Sequence, residues 1–154
     1  MAFGSGLVLS AIAAVLLPGI ALADSPKIET IKAYLIYEDS GKVSKNIADA
    51  ADQIVAQDEN GQSVQLLIDI VLSGKAGGLY ENNPILHVMT KPSLDEAAKP
   101  VVEEFPIVFM AKDKLFRTVL VNHNCNGFDL EAYVMDGDKR VSELTKSFSI
   151  TCGD

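Results

Sequence analysis

Seven runs of alternating apolar and polar residues cross the chain, and a period of two is the signature of β-strands. The first run, 28–38, places Ala33, Leu35 and Tyr37 on one face and Tyr34 and Ile36 on the other. The second is the most regular: Val64, Leu66, Ile68, Ile70 and Leu72 alternate with Gln65, Leu67, Asp69 and Val71. Runs at 85–90, 105–111 and 115–121 predict a third, fourth and fifth strand. The sixth turns Phe128, Leu130, Ala132 and Val134 inward against Asp129, Glu131, Tyr133 and Met135. The seventh, 144–151, turns Phe148 and Ile150 inward and Ser147, Ser149 and Thr151 outward.

Helical spacing is confined to two short stretches. Ile47, Ala50, Ala51, Ile54 and Val55 follow Ser44, a residue suited to an N-cap, and predict a short helix. Ser93-Leu94-Asp95-Glu96 has the capping-box spacing, and Pro100 stops whatever it starts within a turn or two. Neither stretch is long enough to supply the repeated crossovers of a parallel sheet. The prediction is therefore an all-β fold: a two-sheet antiparallel sandwich of about seven strands, immunoglobulin-like in broad architecture. The buried Trp of antibody domains is missing, since the chain contains no Trp.

One register test is available. A turn at Asp136-Gly137-Asp138-Lys139 brings the seventh strand back beside the sixth and carries Cys125 and Cys152 to the same end. A hairpin centred between Asp138 and Lys139 sets the two cysteines directly opposite, yet matching the inward faces requires a pairing offset by one residue. Either a bulge intervenes or Cys125 sits in the loop before its strand.

The first 23 residues read as an address. From Gly6 to Leu17 the chain is apolar or small, Pro18 and Gly19 break the run, and Ala21-Leu22-Ala23 supplies the small residues that precede a cleavage point. The apolar run is short for a bilayer crossing. It predicts a cleaved secretory signal over 1–23 and one mature domain over 24–154. The basic residues that normally open such a signal are absent, which leaves an uncleaved anchor as the alternative. In an oxidising compartment an isolated pair of cysteines forms one disulfide, Cys125 to Cys152.

Composition narrows the partners. The 154 residues carry a net charge of -8, with 48% hydrophobic positions, and a single domain of this length can bury a core of its own. An acidic chain lacks the Lys and Arg density that nucleic acid and anionic membranes require. No cofactor is implied.

Candidate chemistry is sparse. His123 beside Cys125, in Asn122-His123-Asn124-Cys125-Asn126-Gly127, suggests a nucleophile only if the thiol is free; a turn between strands is the plainer reading. His87 lies within the third strand, where a surface or satisfied histidine is the plainer reading. Asp58-Glu59-Asn60-Gly61 and Asp136-Gly137-Asp138 share residues with a calcium loop but lack its twelve-residue continuation. Ser73-Gly74-Lys75-Ala76-Gly77-Gly78 holds the residues of a phosphate loop in the wrong order. The adjacent acids Asp95-Glu96 and Glu103-Glu104 do not by adjacency aim two carboxylates at one bond.

Two segments carry a resemblance: Tyr34-Leu35-Ile36-Tyr37-Glu38-Asp39-Ser40-Gly41-Lys42-Val43-Ser44-Lys45-Asn46-Ile47, and the closing Phe148-Ser149-Ile150-Thr151-Cys152-Gly153-Asp154 with Cys125. Together they resemble a group of small, uncharacterised secreted bacterial β-sandwich proteins with an early Tyr-x-Asp-Ser/Thr-Gly-Lys-like stretch and a Cys-Gly-acid end. The match covers the two ends and not the middle. It implies a fold and a compartment, and no activity.

The function expected from the residues is a noncatalytic interaction module in the periplasm or outside the cell. A domain binding a small ligand, carbohydrate or divalent ion is the alternative, and a hydrolase comes third. Antiparallel order places residues 39–63, 91–104, 122–127 and 152–154 at one end. There Asp39, Asp49, Asp52, Asp58, Glu59, Asp95, Glu96, Glu103, Glu104 and Asp154 outnumber Lys42, Lys45, Lys91 and Lys99, so this end holds -6 of the total -8. A basic protein surface or a divalent cation is the expected partner, with Asp39, Asp58, Glu59, Asp95 and Glu96 as the contact residues. Solvated carboxylates that serve only solubility are the plainer reading.

Overall fold

A computed structural model describes residues 23–93, 97–123 and 125–153. The expected signal segment therefore lies outside the described residues except for Ala23, and so do Leu94, Asp95 and Glu96 of the Ser93 capping box. Among the described residues there are twelve strands: β1 Lys27–Tyr37, β2 Ile54–Val55, β3 Gln57–Asp58, β4 Gly61–Ser73, β5 Gly78–Leu79, β6 Ile85–Pro92, β7 Val101–Pro106, β8 Phe109–Met110, β9 Lys114–Asn122, β10 Phe128–Asp136, β11 Lys139–Phe148 and β12 Ile150–Thr151. Seven are six residues or longer; six of these cover most of an expected run, while β7 shares only Phe105 and Pro106 with the fourth, and the other five are two residues each.

Two antiparallel sheets carry the molecule. In the first, β4 is central, paired with β1 on one side and β9 on the other, with β3 extending the β4 hairpin. The second runs β11-β10-β6-β7. Leu66, Ile68, Ile70 and Leu72 of β4 and Leu86, Val88, Leu130, Ala132 and Val134 of the second sheet belong to one buried core. Burying a branched side chain of this kind contributes about 1.5 to 3 kcal/mol, so these alternating positions decide which way each strand faces.

Bulges alter the face assignments at both ends of β1. The register slips between Ile28 and Thr30, so an even-numbered Ile28 and an odd-numbered Ile31 are both buried. At the other end it slips opposite Val64. There Ser63 becomes the buried residue, and Val64, expected to point inward, is only partly covered. An extra residue on one strand exchanges inside for outside beyond it.

The fourth strand also differs from expectation. It begins at Val101 and ends at Pro106, and Phe109–Met110 form a separate pair with β5. Pro106 has no amide to continue the ladder, and Ile107 dives into the core with its amide bonded to the Pro84 carbonyl at 2.7 Å. No helix forms across 44–55. Ser44 Oγ accepts the Leu35 amide (2.9 Å) and Asn46 Oδ1 accepts the Ala33 amide (2.9 Å), so this segment runs beside β1 and covers its open edge.

The β10–β11 hairpin resolves the register test in both ways at once. Phe128 pairs with Phe148 and Val134 with Ser142, which matches the inward faces; the pairing then shifts between Val134 and Met135. Cys125 lies in the loop before β10, at φ 59.

Candidate functional site

Because the seven long strands alternate in direction, the connections after β1, β6 and β9 and the tail after β11 meet at one end. Backbone bonds knit them together. The Ser93 amide reaches the Gly127 carbonyl at 3.0 Å, the Ile54 amide reaches Ser149 at 2.8 Å, and β12 lies parallel to β2. Cys125 and Cys152 are bonded, 27 residues apart in sequence, with Cα atoms 5.0 Å apart. No free cysteine remains.

Within this end the segment 38–60 folds back on β1 and leaves a groove of about 590 Å³. Leu35, Ile47 and Ile54 line it from the core side. Val43 and Val55, each half-exposed, stand in its walls with Lys42, Lys45, Asp52 and Asp58. Glu59 and Asn60 form the turn between Asp58 and Gly61, which pair across the β3–β4 hairpin. The Asn60 amide donates to Asp58 Oδ1 at 2.7 Å, and Lys42 Nζ donates to Asn60 Oδ1 at 2.9 Å. Gly61 sits at φ 110, and a Cβ there would run into the Asp39 side chain. This sequence is an ordinary tight turn, as its Asn and Gly suggested.

The electrostatics centre on Asp58. The Tyr37 hydroxyl, the Asn60 amide and nearby Lys42 hold Asp58 below the usual carboxylate range. Tyr37 in turn is pushed up to about 12, first by burial and then by the Asp58 carboxylate. Asp39 accepts the Gln62 amide at 3.4 Å and Glu59 is exposed in the turn. Three expected contact residues, Asp39, Asp58 and Glu59, therefore share one loop. Asp95 and Glu96 lie outside the described residues. Lys146 bonds Asp49 at 2.5 Å and offsets part of the acidic surplus. Among the described residues no three His, Cys, Asp or Glu side chains converge as metal ligands.

His123 is buried beside the disulfide. Its Nδ1 accepts the Cys125 amide at 3.0 Å, and its Nε2 has no partner among the described residues. Burial holds the imidazole below the ordinary histidine range. With the neighbouring thiol bonded, the pair offers no nucleophile; His123 shapes the loop instead.

One constellation has no counterpart in the sequence motifs. On the outer face of the second sheet, Glu104, His87, Tyr133 and Glu143 stand in a single row across four strands. His87 stacks on Tyr133 at 4.8 Å and 6°, with Nδ1 3.4 Å from Glu104. Arg140 lies 3.8 Å above the Tyr133 ring and bonds Glu131 and Glu143 at 2.5 and 2.8 Å. Tyr133 is thus covered by an aromatic ring and a guanidinium and offers no open platform for a ligand. The outward positions are visible in the pattern, but their alignment depends on register.

Comparison with known protein families, curated proteins and solved structures finds no match to this chain.

Proposed function

We propose that this protein is a noncatalytic extracytoplasmic interaction module, an immunoglobulin-like sandwich that meets its partner through the acidic loop end. The observation that carries this reading is the disulfide-anchored groove, whose rim presents Asp58 in a fixed position on a rigid sheet end. Support for the immunoglobulin-like class is the order of the long strands, β1-β4-β9 in one sheet and β11-β10-β6-β7 in the other. The disulfide supports an oxidising compartment, and no described helix is long and apolar enough to cross a membrane. The partner is a basic protein surface, drawn by concentrated negative charge.

A second reading is a small-ligand domain. The groove volume lies within the range of ligand pockets, roughly 300 to 1,000 Å³, and its floor is apolar. A partner captured from the exporting cell separates the two. Reversal of Asp58, Glu59, Asp95 and Glu96 to Lys should slow association with a protein partner and flatten its salt dependence. Unchanged association after reversal rejects the acidic-end reading.

A further inference from the structure

β9 is a sheet edge: among the described residues it pairs with β4 alone. The bond from the His123 amide to the Val64 carbonyl, at 3.0 Å, sets the phase of that pairing. It extends a register in which Asn122 faces Gln65. Odd-numbered residues of β9 therefore turn their N–H and C=O groups towards β4. Lys114, Phe116, Thr118, Leu120 and Asn122 turn theirs away from it, along the open edge.

The same residues carry their side chains on the outer face, where Phe116 is 54% and Leu120 57% exposed. The apolar surface continues inward across the sheet, since Phe116 stands opposite Val71 and Leu120 opposite Leu67, which faces Tyr34. The other edges differ: β1 is covered by the segment 44–55, β7 is blunted by Pro106 and the paired acids Glu103 and Glu104, and β11 carries Lys139, Arg140, Glu143 and Lys146. β9 contains no proline and no acid.

From this we infer that β9 is a self-association edge, on which a second copy of the chain adds antiparallel about a twofold axis through Thr118. The argument is the symmetry of the strand itself. Reversed about Thr118, Phe116 meets Leu120 of the second copy and Lys114 meets Asn122. On the inner face Leu115 meets Val121 and Arg117 meets Val119. Apolar pairs form on both faces, Arg117 against Val119 being the one mixed pair, and no charge opposes its like. Every residue with free backbone groups faces another with free groups, so the bonds of the ladder close in full. Sliding by two residues in either direction sets Phe116 against Thr118 or Asn122 and loses the apolar pairs. The strand itself carries Lys114 and Arg117 and no acid, Lys114 being paired with Glu29 at 2.8 Å and Thr118 bonded to Asp69, so no carboxylate of β9 opposes its copy. This surface is separate from the acidic loop end and does not depend on it.

Sedimentation of the purified protein across a concentration series tests the inference, with circular dichroism to confirm the fold of each variant. The wild type should be a reversible dimer. Phe116→Lys combined with Leu120→Lys sets like charges opposite and should sediment as a monomer. Phe116→Lys combined with Leu120→Glu sets opposite charges facing in the same register and should restore the dimer. Thr118→Cys should cross-link to itself under oxidising conditions, because hydrogen-bonded antiparallel partners lie about 5.5 Å apart at Cα, within disulfide reach. A wild type that stays monomeric at the highest concentration overturns the inference. So does a dimer that survives the double lysine change, or failure of the Lys and Glu pair to restore it. Occupation of the edge by a different protein, with the purified chain monomeric, also overturns it.

Discussion

Tyr37, the last residue of β1, interacts through its hydroxyl with the carboxylate of Asp58, the last residue of β3. The contact joins the sheet to the loop that forms the groove; burial first and then the Asp58 carboxylate raise Tyr37, and the Tyr37 hydroxyl in turn lowers Asp58. Tyr37 keeps its proton to about 12, and Asp58 loses its own below the usual range.

Stability should therefore fall in alkali. The folded chain holds the Tyr37 proton where the unfolded chain, at 10.0, releases it. The contribution is complete below pH 10 and is lost as pH rises from 10 to about 12. Denaturation midpoints across that window should decline, and Tyr37→Phe should decline less. Tyr80, also raised by burial, retains part of the effect. Identical slopes in the two proteins would rule Tyr37 out as a source.

His123 should add a dependence on the acidic side. Burial disfavours its protonated form, so the unfolded chain takes up the proton first, near 6.5, and unfolding is favoured as pH falls below that value towards the folded-state one. His123→Gln removes the titrating ring and should show a flatter stability profile from pH 7 to pH 5. A wild-type profile no steeper than the variant's would mean that the ring protonates without cost.

Replacing both Cys125 and Cys152 by Ser should lower stability by about 3 to 4 kcal/mol on the chain-entropy account of a loop this long. Equilibrium urea unfolding reads this directly. Local loosening should follow as well, since Cys152 adjoins β12, which pairs with β2 on the groove wall. Amide exchange at Ile54 and Ala56, both bonded to the tail, should quicken before the rest of the sheet opens.

The bulge opposite Val64 can be tested by contrast within one strand. Ile68→Ala removes a fully buried side chain from the centre of β4 and should cost roughly 2 to 5 kcal/mol. Val64→Ala, at a position turned partly outward, should cost much less. Comparable losses at both sites would show that Val64 faces the core.

Most of the inward faces are legible in the alternation of residues alone. Leu66, Ile68, Ile70 and Leu72 of β4 and Phe128, Leu130, Ala132 and Val134 of β10 are buried as their alternation requires, because period-two patterning is a local property of the chain. The disulfide is legible for a different reason: two cysteines admit one intramolecular pairing. Val64 misleads because a bulge depends on the partner strand, not on the strand that carries the pattern. The stretch 44–55 misleads because helical spacing competes with the bonds that Ser44 and Asn46 make to β1, which are long-range.

For the site the division is sharper. By itself the sequence determined the surplus of acids, its concentration in three connections and the tail, and the end at which they meet, since alternating strand direction follows from short turns and needs no coordinates. Only tertiary structure decided that Tyr37 holds Asp58, that β12 crosses to β2 and walls the groove, and that His87 and Tyr133 stack. Each of those contacts joins residues far apart in the chain, and the register that brings them together is set by burial of whole strands against one another.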